Sequence, residues 1–331
     1  MKRIDGFAHI LPRRYLERLE PHLVETMPAR EVAYLREGVF HFDDALSDLD
    51  TRLRQIERFP DYTQILVLAV PPIEETGPPS VAADFARLAN EELAELVRAH
   101  PDCFAGFVAA LPLNDIDASL REIERAVSDL GALGAQVYTN VQGVPLDDSR
   151  FDPIFTRLEE LDRGVWLHPT RNAAWRDYPT ETLSNYGLWW SLGWPYETAA
   201  ALSRLVYSGT MERHPNLKLV AHHGAGMVPH FSARLDMGPG FRQVKDRLPR
   251  PPTHYFRRFF ADTALFGARH AVESVLDFFG PDHVLFGTDT PLGPPDSIDL
   301  TIADIEACKL SDTERANVFS GNATRLFLAH A

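Results

Sequence analysis

Five polar residues, scattered over a chain of 331, are of the right types to do chemistry together: His9, His168, the pair His222-His223, and Asp289. Imidazole nitrogens with one carboxylate form a ligand set for Zn²⁺, Mn²⁺ or another divalent ion, with a coordination position left open for water or substrate. A neutral imidazole beside such an ion can also take up a proton and return it near pH 7. Taken singly, each residue has a plainer reading. A histidine at the end of an apolar run is ordinarily a hydrogen-bonded packing residue, and Asp289 in Gly287-Thr288-Asp289-Thr290-Pro291 could cap a helix or close a turn. Their shared placement at the ends of apolar runs points to one site. His22, His100, His214, His254, His270, His283 and His330 fall in helices or loops and read as structural or solvent-exposed.

The runs that carry these residues read as strands: 3–9, 64–70, 104–110, 135–139, 164–168, 217–222, 259–263 and 283–289. Several are continuously apolar, as strands buried on both faces should be. Amphipathic helices lie between them, one with Phe85, Leu88, Ala89, Leu93 and Leu96 on a single face. Leu120, Ile123, Val127 and Leu130 repeat the pattern, as do Phe151, Ile154, Phe155, Leu158 and Leu161. Eight strands, each followed by a helix or a long loop, predict a (βα)8 TIM barrel of the α/β class, as one domain over 1–331. A doubly wound sheet would share the alternation, but no Gly-x-Gly-x-x-Gly follows an early strand.

In a barrel the C-terminal strand ends form one mouth, so four distant segments converge there. Segments 22–47 and 172–195 break the rhythm and would overhang that mouth. The second holds Trp175, Trp189, Trp190 and Trp194, which suits a lid or substrate wall, or else a dimer contact. Strand alternation sends His222 and His223 to opposite faces, so one of them is expected to face the barrel axis. Gly224-Ala225-Gly226 allows close backbone approach, and Pro229 starts the next helix.

Composition narrows the partners. The chain has 33 Lys+Arg against 47 Asp+Glu, a net charge of −14 without a basic cluster, which argues against nucleic acid or an anionic membrane. A local cationic site for a small anion remains compatible with it. Cys103 and Cys308 form no Cys-x-x-Cys and are too few for a disulfide framework. No apolar run approaches the roughly 20 residues that span a bilayer, and no signal-peptide core follows Met1. A soluble cytoplasmic protein is expected.

Six motifs carry a family resemblance that runs nearly end to end. They are Ile4-Asp5-Gly6-Phe7-Ala8-His9-Ile10-Leu11-Pro12, Leu167-His168-Pro169, Gly193-Trp194-Pro195-Tyr196-Glu197-Thr198, Ala221-His222-His223-Gly224, Met227-Val228-Pro229 and Leu285-Phe286-Gly287-Thr288-Asp289-Thr290-Pro291. The chain resembles the amidohydrolase superfamily, in the branch of aminocarboxymuconate semialdehyde decarboxylase and related non-oxidative decarboxylases. The resemblance implies a metal-dependent decarboxylase acting on an aromatic or unsaturated carboxylic acid. The alternative is a metal-dependent hydrolase of a lactone, ester or amide, or a hydratase, using the same site. It implies one divalent ion, Zn²⁺ first and Mn²⁺ or Mg²⁺ after it, and a homodimer.

Site roles follow by the same resemblance. The family opens with Asp-x-His-x-His, both histidines being metal ligands, and here Phe7 stands at the first of them. The metal would then be held by His9, His168 and Asp289. His223 matches the catalytic acid/base, with Asp289 as its proton partner. His222 has no counterpart and would stand behind the metal, with Glu197 orienting a histidine or forming a plain salt bridge. Trp190 matches a substrate-contacting tryptophan, and Phe7 would lie against the substrate. His41 occupies the place of a substrate-carboxylate arginine, which argues against a semialdehyde-dicarboxylate substrate.

Overall fold

The apolar runs form eight parallel strands in the computed structural model, which describes residues 1–329; His330 lies outside the described residues. They are β1 Arg3–Ile10, β2 Tyr62–Leu68, β3 Phe104–Phe107, β4 Gly134–Tyr138, β5 Gly164–His168, β6 Lys218–Ala221, β7 Phe260–Asp262 and β8 Val284–Leu285. Ladders join β1 to β2 to β3, and β4 through β5, β6 and β7 to β8. A parallel bridge from Ala109 to Ala135 links β3 to β4. Gly6 N–H donates to the Phe286 carbonyl and His9 N–H to that of Thr290, each at 2.8 Å, which closes β8 onto β1. The result is the expected TIM barrel, a sheet without edges.

Side chains fill the barrel interior: Ile4, Phe7, Ile65, Val67, Val108, Trp166, Val220 and Leu285 are all buried there. Phe327, on the last helical turn Thr324–Leu328, packs on Trp166 with ring centroids 4.5 Å apart. Outside the strands, helices Pro79–Ala99, Ile116–Ser128 and Asp152–Glu160 bury the faces that their periodicity marks. Asp115 caps the second of these by accepting from Ala118 N–H, one of the donors a helix start leaves unpaired. No described helix is long and apolar enough to cross a membrane.

The structure departs from expectation in two places that matter to the site. Segment 22–47 is largely helical rather than irregular. Helices Arg13–Thr26 and Ala29–Leu35 are followed by a π-helical turn, Arg36–Phe40, and a 3-10 turn, Asp44–Leu46. Pro21 and Pro28 break the periodic pattern, which is why the sequence reads as a loop. Tyr15, Leu19, Leu23, Val32 and Leu35 build a separate small core against Phe85. Strand six also stops short, at Ala221, because His223 (φ 52°) adopts the left-handed region, where a strand cannot continue, and strand eight already ends at Leu285.

Arg52, on helix Leu49–Glu57, ties this outer layer to the mouth. Fully buried, its guanidinium donates to the carbonyls of His9 (2.6 Å) and Ala45 (3.2 Å) and to Gln64 Oε1 (2.8 Å). It thereby fixes the end of β1 on which His9 is carried. Removing it leaves three buried acceptors unpaired, so Arg52→Met is expected to destabilise the fold by about 2–4 kcal/mol in urea unfolding. An unchanged midpoint would show that this network contributes nothing.

Candidate active site

The barrel mouth brings the five chemical residues together. His9 comes from the end of β1, His168 ends β5, His222 and His223 follow β6, and Asp289 follows β8. His9, His168 and His222 each offer a nitrogen, and these three atoms lie within 4.8 Å of one another; one atom each from His222, His223 and Asp289 does the same. Asp289 is the common neighbour. Its Oδ1 is 3.1 Å from His9 Nε2 and 3.2 Å from His222 Nε2, and its Oδ2 is 3.6 Å from His223 Nε2.

Both ring nitrogens of His9 are buried without a hydrogen-bond partner, although Nε2 sits so close to the Asp289 carboxylate. Donor atoms crowded together yet misaligned for hydrogen bonding are what a shared cation would satisfy. His168 accepts no proton readily: burial, then the neighbouring histidines, hold its pKa well below the ordinary value. Its Nδ1 contacts the Pro169 carbonyl at 2.6 Å, which assigns the proton to Nδ1 and leaves Nε2 as a donor. The Asp289 carboxyl is held well below the usual range: burial would raise it, but the neighbouring imidazoles of His222, His223 and His9 prevail. The residues therefore fit a divalent metal ion.

The two adjacent histidines do not obey strand alternation. The chain leaves β6 at Ala221, and the left-handed turn at His223 (φ 52°, ψ 48°) lays the rings side by side, with centroids 3.7 Å apart. Both face the cluster. Gly226 makes the turn possible, since its φ is 60° and a Cβ there would come within 2.3 Å of the Pro195 carbonyl oxygen. His222 Nδ1 is hydrogen-bonded to Asp262 Oδ2. Burial would lower the His222 pKa, but the Asp262 and Asp289 carboxylates overcome it and raise it to about 9. His223 is pushed down instead, by burial and then by His222, and is neutral at pH 7. It stands 6.1 Å, centroid to centroid, from both Trp194 and Phe266.

Over the cluster lies a cavity of about 410 Å³. His168 and Asp289 form its polar end, and Tyr34, Trp189, Trp190, Trp194 and Phe266 are among its walls. The aromatic segment is thus a wall, as one of its two expected readings had it. Tyr34 and Trp189 meet edge to face at 5.1 Å, so the two overhanging segments join across the mouth. No lysine or arginine occurs among the described lining residues.

Two expectations need correction. Phe7 does not line the cavity: it is fully buried in the barrel interior, beneath the cluster, with its ring stacked on His222 at 3.7 Å and 8°. His41 is exposed and turns outward to Glu20 (3.7 Å), because the π-helical turn before it leaves Val39 and Phe42, not His41, on the cavity side. Of the two readings expected for Glu197, the structure shows the plain salt bridge: it pairs with Arg171 at 3.4 Å. Of the site residues sequence reasoning passed over, Asp262 had a signal, a carboxylate at the end of strand seven. Arg171 and Phe266 had none, since they sit on loops without periodicity.

These features define a metal-dependent TIM-barrel enzyme with its site at the C-terminal strand ends. A family model described as amidohydrolase matches residues 40–328, and the chain belongs to that family, in its branch of non-oxidative decarboxylases. It is 29% identical to 2-amino-3-carboxymuconate-6-semialdehyde decarboxylase of Dictyostelium discoideum, over 97% of this chain and 90% of that protein. It is 33% identical to gamma-resorcylate decarboxylase of Rhizobium radiobacter, over 84% of this chain and 86% of the relative. The crystal structure of a dihydroxybenzoic acid decarboxylase from Polaromonas, with bound manganese and the inhibitor 2-nitroresorcinol, superposes with a TM-score of 0.78 at 27% identity. That match covers 100% of this chain and 98% of the other.

Arg171 pins the aromatic wall. It donates to the Trp175 carbonyl and to Asp177 Oδ1, both at 3.2 Å, while its own carbonyl accepts from Trp194 Nε1 at 3.0 Å. Arg171→Met removes the donors but keeps much of the packing. It is expected to speed limited proteolysis between residues 172 and 187 by at least about tenfold, by lowering the local opening free energy more than about 1.4 kcal/mol. Unchanged cleavage kinetics would show that the loop is held by its tryptophans alone.

Proposed function

We propose that this chain removes CO₂ from an aromatic carboxylic acid without a redox cofactor, using a divalent ion held by His9, His168 and Asp289. The observation that carries the reading is the buried imidazole–carboxylate cluster at the base of an aromatic-walled cavity. The ion, when bound, supplies positive charge to the substrate's oxygens. We propose Zn²⁺ as the resident ion because nitrogen donors dominate the set.

The protein's own residues account for the rest. Trp190, Trp189 and Trp194 present flat apolar surface to a ring and exclude water, which strips solvent from the carboxylate that must leave as neutral CO₂. Breaking the C–C bond leaves its electron pair on the ring carbon, so one proton must reach that carbon for each CO₂ released. His223 is neutral, adjoins two cavity walls, and lies beside Asp289 Oδ2, so it can take up that proton and deliver it. With no lysine or arginine among the described lining residues, a second carboxylate would be buried unpaired. The substrate accordingly carries one carboxylate on an aromatic ring.

Elemental analysis should find one zinc per chain; manganese in its place would overturn the zinc assignment. His168→Ala should lose the ion and the activity together. His223→Gln should keep the ion and lower kcat by about 10²–10⁴. A screen of aromatic acids should release CO₂ from monocarboxylates and much less from dicarboxylates. Full activity after metal stripping would overturn the reading, and so would water uptake with ring opening and no CO₂, which would make the chain a hydrolase.

We also propose a homodimer, supported by exposed Tyr186, Leu192 and Tyr196 around the aromatic segment. Light scattering should give twice the chain mass of 37.2 kDa; a mass equal to one chain would refute it.

A further inference from the structure

We propose that the cavity at the barrel mouth continues past its aromatic wall into a second binding site for the far end of an extended substrate. That substrate is an aromatic monocarboxylate bearing a second ring with a hydroxyl or amine donor. The inference rests on the decarboxylase reading above for the carboxylate end of the molecule and adds the class of the other end.

Three observations carry it. First, the two spaces adjoin. The second cavity, of about 350 Å³, shares Tyr34, Val70, Trp189 and Trp194 with the mouth cavity. Trp194 borders both ends: its ring stands 5.2 Å, centroid to centroid, from His168, while its Nε1 donates to the carbonyl of Arg171, which lines the second cavity. Tyr34 is the most exposed of the four shared residues, at 40%, so the partition is least packed there. Second, there is more room than one ring fills. A cavity of roughly 150 Å³ holds benzene, whereas the mouth cavity alone has about 410 Å³. A single-ring acid would leave the second cavity, with Leu35, Pro72 and Leu183 on its lining, to water, and a second ring would cover them.

Third, the polar groups of the second cavity favour donors. Glu31, Glu75, Thr170, Asn172 and Thr182 add oxygen acceptors to its apolar lining. Arg171 is already paired with Asp177 and Glu197, which leaves Arg30 against two carboxylates. Desolvation, then the charge of Glu31, push the Glu75 carboxyl up to about 7, so a cationic or proton-donating group placed there relieves an existing repulsion. A second carboxylate would add to that repulsion. The combined space therefore has a polar end at His168 and Asp289, an aromatic waist, and a second polar end that accepts hydrogen bonds.

The test measures affinity rather than turnover. The probes are ortho-nitrophenol, whose nitro group stands where the carboxylate would and cannot leave as CO₂, and its derivatives extended para or meta to the nitro group. The extensions are phenyl, hydroxyphenyl, aminomethylphenyl and carboxyphenyl, each titrated calorimetrically into the full-length, metal-loaded protein. The better hydroxyphenyl or aminomethylphenyl isomer should bind at least about tenfold more tightly than ortho-nitrophenol, with phenyl between them and carboxyphenyl weaker than phenyl. Ala174→Trp, which adds bulk to the lining of the second cavity on an exposed loop, should cut the extended-to-short affinity ratio at least about tenfold. Extended probes that bind no more tightly than the short one, or not at all, overturn the inference, as does an unchanged ratio in Ala174→Trp. Tightest binding by carboxyphenyl overturns the assignment of a donor to the far end. Absence of CO₂ from the matching short and extended salicylates refutes the decarboxylase reading instead, and the affinity ratio still judges the second site.

Discussion

A single carboxylate, that of Asp289, organises the mouth of this barrel. A buried negative charge is tolerated only where positive charge or hydrogen-bond donors surround it. Here three imidazoles do so, from the ends of β1 and β6, at 3.1 to 3.6 Å. The backbone holds the carboxylate in place against its own preference: Asp289 sits at φ 60°, its N–H bonds the Phe7 carbonyl, and its carbonyl accepts from Leu292 and Gly293. Left-handed backbone at a non-glycine residue costs on the order of 1 kcal/mol or more, and it persists because barrel closure supplies these bonds. Disturbing the closure between β8 and β1 would move His9 and Asp289 apart together.

A second consequence concerns charge. The molecule carries a net −14, yet its cavity at the barrel mouth presents one carboxylate, one imidazole and aromatic rings among its described lining residues. Attraction for an anionic substrate must be local, supplied by the divalent ion within a low-dielectric pocket where one charge acts strongly. The neighbouring cavity of about 350 Å³ does hold Arg30 and Arg171, but acidic Glu31 and Glu75 share its lining, and Arg171 is committed to Asp177 and Glu197. Arg171 therefore serves architecture, holding the tryptophan wall.

Much of this was legible beforehand. Strands three residues or longer in the barrel fall within or beside the apolar runs, since a strand buried on both faces must be apolar throughout. His9, His168 and Asp289 were visible because strand ends in a barrel share one mouth. His41 was misplaced because a π-helical turn rotates the chain by an amount no motif alignment registers. A metal-binding side chain at position 7 would face the mouth, whereas the apolar ring of Phe7 is stabilised below, in the barrel interior. Helices around 22–47 leave little signal in the local sequence because their stabilising contacts lie on helix Pro79–Ala99, far along the chain.

By itself, then, the sequence determined the barrel, the chemical types gathered at its mouth, and the family to which the chain belongs. Apolar periodicity and residue identity are local properties, so a linear reading can recover them. Only the tertiary structure decided that His222 and His223 share one site, against the alternation expected of a strand. That outcome depends on a left-handed turn, and the turn exists because Asp262 on β7 grips Gly224 and His222 while Gly226 passes close to Pro195. Those partners lie roughly 30 to 40 residues away along the chain, and their effect on backbone torsion arises only once the barrel has brought them together.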